Sequence, residues 1–312
     1  MEQIHNPVDA TDDQTERDLL SSFLRPAVEL TWSDGVAEAP IRRSTPGLEA
    51  NRDYFDREDW ATSYLKYCHR SESFKQRWLA ATGSWSGKIV VDVGCGPGNV
   101  NATLQQSPKL LIGIDVSLGA LKMARKFGYT ALRADAQDLP LISEFADLVV
   151  MNAAVHHCDD MTLALSEAAR LVAPGGLLVI DHDPQLEAWN FRGLGLALWK
   201  SRLIIYRLAK KGFHRSVEEQ TVALTSEIHH DAGDGVTRDL FETVLIPLGF
   251  AVETFPHNNG LGAEVLKGEI GRSSPKLRVG QFLSGIDPTS PSAALSLMCR
   301  ASRSSNTPCS AP

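Results

Sequence analysis

The 312-residue chain has few cysteines and none in a pairing pattern. Cys68, Cys95, Cys158, Cys299 and Cys309 are odd in number and widely spaced, with no CxxC pair. Neither a disulfide framework nor a zinc ribbon is indicated, and a reducing, cytoplasmic setting is expected. No apolar run is long enough to span a bilayer, and the first residues lack the basic-then-apolar pattern of a secretory signal. An excess of positive charge is also missing. The net charge of −7 argues against a general nucleic-acid binder, because phosphate neutralisation needs a basic surface. Cys309-Ser310-Ala311-Pro312 puts a cysteine at a prenylation position, but Ser310 is not aliphatic and the final proline is not a usual specifier, so the match reads as coincidence. His229-His230-Asp231 has no partner ligands at a typical spacing, and adjacent histidines point apart on a strand, so no metal is expected.

What is present is an ordinary globular composition. Hydrophobic residues make up 43% and charged residues 22%, enough for a sizeable core. Ile89–Val93, Leu110–Ile114, Ala131–Ala134, Ala146–Met151 and Leu177–Ile180 read as strands, with helical spacing between them. Strands that are apolar throughout and alternate with helices specify a parallel sheet covered on both faces. The expected fold is therefore a doubly wound, mostly parallel α/β sheet. Ligands of such sheets bind beyond the carboxyl ends of the strands. Asp92, Asp115, Asp135, Asn152 and Asp181-His182-Asp183 lie at or near those ends.

Around this core the texture changes. Residues 1–50 read as a poorly ordered leader and 51–85 as a helical, aromatic flap, with Tyr54 or Tyr64 expected to touch a ligand. Residues 86–301 form the main domain, 185–235 an inserted helical cap, and 302–312 a tail. In the insertion, Leu196, Trp199, Leu203 and Tyr206 repeat at helical spacing among Arg192, Lys200, Arg202, Arg207, Lys210, Lys211 and Arg215. A cap helix packed on the domain is the first reading. A peripheral contact of 189–211 with an anionic membrane is the second, and a cationic mouth for a lipid-like substrate the third. Residues 256–292 read as irregular.

The stretch Val90-Val91-Asp92-Val93-Gly94-Cys95-Gly96-Pro97-Gly98-Asn99 runs from a buried strand into a glycine turn. Glycines there permit backbone angles and approaches that a Cβ blocks. NAD-binding proteins use G-x-G-x-x-G; here the spacing is Gly94, Gly96, Gly98, and Asp92 precedes the turn. With Asp115, Asp135-Ala136, Asn152 and the run Ala169–Ile180, the pattern resembles the class I S-adenosylmethionine-dependent methyltransferases of small-molecule type. The resemblance covers about 75–184 well, and 236–255 and 293–301 weakly.

The resemblance implies a seven-stranded Rossmann-like sheet whose last strand, Ala293–Ala301, is antiparallel and inserted beside Phe250–Phe255. S-adenosyl-L-methionine would be the cofactor. Gly94, Cys95, Gly96 and Gly98 would admit its methionine part, and Asp92 would hold the amino-acid end. Asp115, with Val116 beside it, would accept both ribose hydroxyls. Asp135 would accept from the adenine amino group with the Ala136 N–H in support, and Asn152 and Ala153 would line the methionine end. The reaction would be in-line methyl transfer to a small, rather hydrophobic oxygen or nitrogen nucleophile. His156, His157 and His182 are the candidate general bases, with His157 preferred. A cyclising or non-catalytic S-adenosylmethionine-binding protein is the alternative, and a nicotinamide-dependent oxidoreductase a weaker one.

Overall fold

The computed structural model describes residues 10–208 and 216–305. Lys210, Lys211 and Arg215 of the insertion, and Cys309 with most of the expected tail, lie outside the described residues. In chain order the elements are α1 (Ala10–Ser21), β1 (Thr31–Ser33), β2 (Val36–Glu38), α2 (Pro46–Asp56), α3 (Glu58–Tyr67), α4 (Glu72–Thr82), β3 (Ile89–Val93), α5 (Asn99–Leu104), β4 (Leu110–Asp115) and α6 (Leu118–Ala124). They continue with β5 (Thr130–Arg133), β6 (Ala146–Asn152), α7 (Met161–Leu171), β7 (Val172–Asp181), α8 (Leu186–Trp189) and α9 (Gly193–Leu208). The last are α10 (Val217–Ser226), α11 (Arg238–Leu245), β8 (Phe250–His257), α12 (Pro275–Leu283) and β9 (Ser296–Arg303).

The described strands form a nine-stranded sheet in the order β1-β2-β5-β4-β3-β6-β7-β9-β8. Strands β5, β4, β3, β6 and β7 are mutually parallel, and β9 is antiparallel between β7 and β8. The seven strands expected from the sequence are present. The count rises to nine because the segment read as a poorly ordered leader holds α1 and a hairpin, β1–β2, whose second strand runs parallel to β5. Such short strands have no periodicity long enough to read from sequence.

Strand order reverses around β3, which lies between β4 and β6. That is the switch point where an open α/β sheet leaves a crevice at its carboxyl edge. Val90, Val91 and Val93 are buried there with Ile112, Ile114, Leu148 and Val150. Side-chain caps set the helix starts: Ser117 accepts from the Ala120 N–H, Asp160 from Leu163 and Thr237 from Leu240.

The region expected to be irregular, 256–292, contains α12, the 3₁₀ segment Ala263–Lys267 and the start of another, Pro291–Ala293. The start of α12 follows a legible rule: Ser274 caps it and Pro275 takes the first helical position. Strand β7 begins at Val172 rather than Leu177, so α7 ends at Leu171, ahead of the Pro174-Gly175-Gly176 stop. Among the described residues no helix is long and apolar enough to cross a membrane.

Phe241 is fully buried on α11 and belongs to the core cluster that contains Leu165 and Ala168 of α7. Phe241→Ala is expected to lower the unfolding free energy by about 3–5 kcal/mol. Thr237→Ala, which removes only the cap, should cost about 1 kcal/mol. Urea midpoints with unchanged m-values would check both.

Candidate active site

The glycine turn is fixed to the neighbouring strand by two bonds. The N–H groups of Gly94 and Cys95 both donate to the carbonyl of Ile114, at 2.8 and 2.9 Å. Gly94 has φ +72°, and a Cβ there would lie 2.6 Å from the Cβ of Ala154. A Cβ at Gly96, φ +52°, would meet nothing within 4 Å. The first position admits no side chain for lack of room. The second faces open space, where any side chain would occupy the cleft.

The turn lines a cleft at the carboxyl edge of the sheet. The structure brings most of the sequence-predicted residues to its wall: Gly94, Cys95, Gly96, Asp115, Val116 and Asp135. Ala136, Asn152, Ala153 and His157 complete that group. Asp92, Gly98, His156 and His182 are not on the wall.

Asp92 lies behind the turn, fully buried, where the Tyr129 hydroxyl donates to its Oδ2 at 2.7 Å. Its Oδ1 has no hydrogen-bond partner. Burial pushes the carboxyl up to about 7, against the pull of the Tyr129 bond. Gly98, φ +87°, packs against Ala124 and the Tyr129 ring, so it serves the turn rather than the cleft.

Asp115 at the end of β4 accepts from the Gly96 N–H at 2.8 Å and the Ser117 N–H at 2.9 Å. Burial raises its pKa and these two bonds oppose the rise. Asp135 accepts from the Gln137 N–H through Oδ1 (2.9 Å) and from the Arg43 guanidinium through Oδ2 (3.2 and 3.0 Å). Arg43 was not legible as a site residue, since it sits in the supposed leader; the Arg42-Arg43 pair ahead of the Thr45-Pro46 cap signal was its only trace. Asn152 presents a buried, unpartnered Oδ1. Ala153, φ +50°, is held in the left-handed region while its N–H donates to the Asp181 carbonyl.

The flap closes over one side through Leu48, Asn51, Phe55 and Tyr64. Tyr64 reaches the wall as expected. Tyr54 is not on the wall; it packs edge-on against Phe55 and Trp60. Three polar clamps hold the flap. Asp56 accepts from the Ser117 hydroxyl (2.7 Å) and the Gly119 N–H (2.8 Å). Asn99 donates to the carbonyls of Cys68 (2.8 Å) and Tyr64 (3.2 Å). Asn51 donates to the carbonyls of Gly47 (3.0 Å), Ser226 (3.0 Å) and His157 (3.3 Å).

The three histidines occupy different surroundings. His157 Nδ1 lies 2.5 Å from the Ser226 carbonyl, an acceptor, so Nδ1 carries the proton and Nε2 the lone pair. Burial, with the neighbouring His156, lowers its pKa to about 3. His156 stacks on it with ring centroids 4.0 Å apart. For His156 burial works to lower the pKa, but the 2.7 Å bond to Asp183 and that carboxylate's charge outweigh it and raise the value. His182 belongs to a separate buried group, with Arg77 paired to Asp181 at 2.9 Å and His257 bonded to Asp181 at 2.7 Å. Burial keeps His182 below its ordinary pKa. It meets the cleft only indirectly, through His69, whose Nε2 lies 2.9 Å from the Tyr64 hydroxyl. His229 and His230 are each taken up by an acid, Asp234 and Glu227 respectively.

The donor set fits an adenosyl-amino acid. Two carboxylates stand at consecutive strand ends, an unpartnered amide oxygen lies at the next, and the glycine turn is open at Gly96. Carboxylates suit ribose hydroxyls and an exocyclic amine because they only accept.

Comparison with known proteins agrees. Residues 91–180 match the family model described as a methyltransferase domain. The malonyl-[acyl-carrier protein] O-methyltransferase of Hamiltonella defensa is 31% identical over 123 residues, 39% of this chain and 48% of that protein. The Pectobacterium atrosepticum enzyme of the same name is 31% identical over 120 residues, 38% of this chain and 47% of that protein. The chain thus spans about half the length of these curated relatives. Among solved structures, the geranyl diphosphate C-methyltransferase of Streptomyces coelicolor superposes with a TM-score of 0.53 at 12% identity, covering 84% of this chain and 99% of that one, and so shares the fold. Residues 91–180 therefore match a methyltransferase domain, set in a sheet with the fold of that C-methyltransferase.

Proposed function

We propose that the whole chain is a methyltransferase that moves the methyl group of S-adenosylmethionine to an oxygen of a small, largely apolar acceptor. The observation that carries the reading is the convergence of the open glycine turn, Asp115, Asp135 and Asn152 on one cleft. When bound, the cofactor supplies an electrophilic methyl on a sulfonium. Asp115 would hold the ribose hydroxyls, Asp135 and the Ala136 N–H the adenine, and Asn152 the amino group. Asp92 supports the turn from behind, through Tyr129, instead of touching the ligand. The flap residues Phe55 and Tyr64 exclude water, which strengthens each polar contact inside.

The acceptor atom follows from the proton affinity of the cleft. A general base works best with a pKa near the operating pH. His157 is too weakly basic for that task; its Nε2 offers a lone pair and little else. This favours an acceptor that needs no deprotonation, such as a carboxylate. The relatives named malonyl-[acyl-carrier protein] O-methyltransferases support an acceptor of that class. In this reading His157 orients the acceptor, and the His156–Asp183 pair fixes the wall beside it.

Calorimetry should show S-adenosylhomocysteine binding and no NAD binding; the reverse result would overturn the proposal. Asp115→Ala is expected to weaken S-adenosylhomocysteine by about 10- to 100-fold, the scale of bonds to a charged group. For the acceptor, His157→Gln keeps a hydrogen-bond acceptor and should hold kcat within about tenfold, whereas loss of a general base costs 10²–10⁴-fold. Because His157 is neutral at every pH above about 3, wild-type kcat should show no limb from this residue between about pH 5 and 8. A limb that vanishes in His157→Gln would restore the general-base role.

A further inference from the structure

A second depression lies outside the cofactor cleft, between α9 and α12. It is an open groove of about 710 Å³. The helices approach closely at Gly195, where a Cβ would meet the Ser284 side chain and lie 2.4 Å from the Gly280 carbonyl oxygen. Gly195, Leu198, Trp199, Arg202 and Tyr206 follow at intervals of one to four residues, so one face of α9 lines the groove. Trp189, Phe191, Leu277 and Leu295 form much of the rest. Leu198 and Val279 at the groove are about half exposed, at 48% and 51%.

The charge within this apolar surface is one-sided. Arg202 and Lys276 line the groove, and among the described residues no Asp or Glu does, although the chain as a whole carries −7. The Arg202 guanidinium sits 3.3 Å from the centroid of the Trp199 ring, and its Nη1 donates to the Trp199 carbonyl at 2.7 Å. Among the described residues no carboxylate lies within ion-pair distance of it, and its Nε and Nη2 make no hydrogen bond. Burial lowers its pKa to about 10 against the opposing pull of Tyr206, Glu227 and Asp231, so it stays cationic at neutral pH. A partly desolvated cation with unspent donors is costly unless an anion completes it.

We infer that the α9–α12 groove is a second ligand site, and that it takes a single-chain anionic amphiphile, with the apolar chain along Trp199, Leu277 and Leu295 and the anionic group on Arg202. The aromatic floor supplies apolar area. The guanidinium fork matches a carboxylate or a phosphate monoester in two-point contact. The site stands apart from the cofactor cleft and does not depend on methyl transfer.

The full-length chain is titrated calorimetrically with dodecanoate below its micellar concentration, and separately with dodecan-1-ol, S-adenosylhomocysteine and phosphatidylglycerol vesicles. Stoichiometric dodecanoate binding is expected, weakened about tenfold or more by Arg202→Met, with dodecan-1-ol bound weakly by both proteins. Leu277→Asp should abolish dodecanoate binding, and Lys276→Met, on an exposed side chain, gives a second charge variant should Arg202→Met fail to fold. Absence of dodecanoate binding in a chain that still binds S-adenosylhomocysteine overturns this inference and leaves the proposed function standing. Dodecanoate binding without S-adenosylhomocysteine binding does the opposite. Dodecanoate affinity indifferent to Arg202→Met and Lys276→Met overturns the anionic assignment. Capture by vesicles without binding of monomeric dodecanoate overturns the site in favour of a membrane-docking face.

Discussion

The Ile114 carbonyl carries more of this structure than any single side chain. It accepts from Gly94 and Cys95 together, and both its lone pairs are thereby used. The turn after β3 is consequently fixed to the end of β4, the strand that delivers Asp115. Asp115 then bonds back to Gly96. The turn and the carboxylate position each other. Gly94 must be glycine for this closure, because Ala154 fills the space behind it.

Each acid at the carboxyl edge meets burial in its own way. Asp115 is satisfied by backbone N–H groups, Asp135 by Arg43, Asp183 by His156, and Asp181 by Arg77 and His257. Asp92 has one donor only, and burial raises its pKa accordingly. Arg77 and Asp181 are both fully buried. Such a pair is weak evidence of stability, since desolvation offsets much of the attraction. What it achieves structurally is to join α4, β7 and β8 at one point behind the cleft.

The parts of the fold with a long apolar pattern were legible in the sequence: seven of the nine described strands, with the glycine turn that follows the first of them. The cleft-lining residues Gly96, Asp115, Asp135 and Asn152 were legible because they lie at or just beyond strand ends. What stayed hidden depends on tertiary partners. The β1–β2 hairpin is three residues per strand and gains its place only by pairing with β5. Arg43 acquires meaning only across from Asp135. Asp92 reads as a ligand contact in sequence, yet Tyr129 holds it behind the turn. His182 was grouped with His156 and His157 by its place after a strand, but its positive φ of 64° and its bond to Asp181 turn it toward Arg77. The helix α12 was missed although Ser274-Pro275 announces it, because glycine, serine and proline dominate its surroundings.

The Ser226 carbonyl has a consequence of its own. It ends α10, within the insertion, and accepts from both the His157 ring and the Asn51 amide. The tautomer of a residue on the cleft wall is therefore dictated by a backbone atom of the insertion, and the same atom anchors the flap. A change of length or register in 216–226 would alter which nitrogen of His157 faces the cleft, without altering any residue of the central sheet. Here the segment 216–226 and the cleft wall share one oxygen, so a change in that segment rewrites the hydrogen bonding of the site.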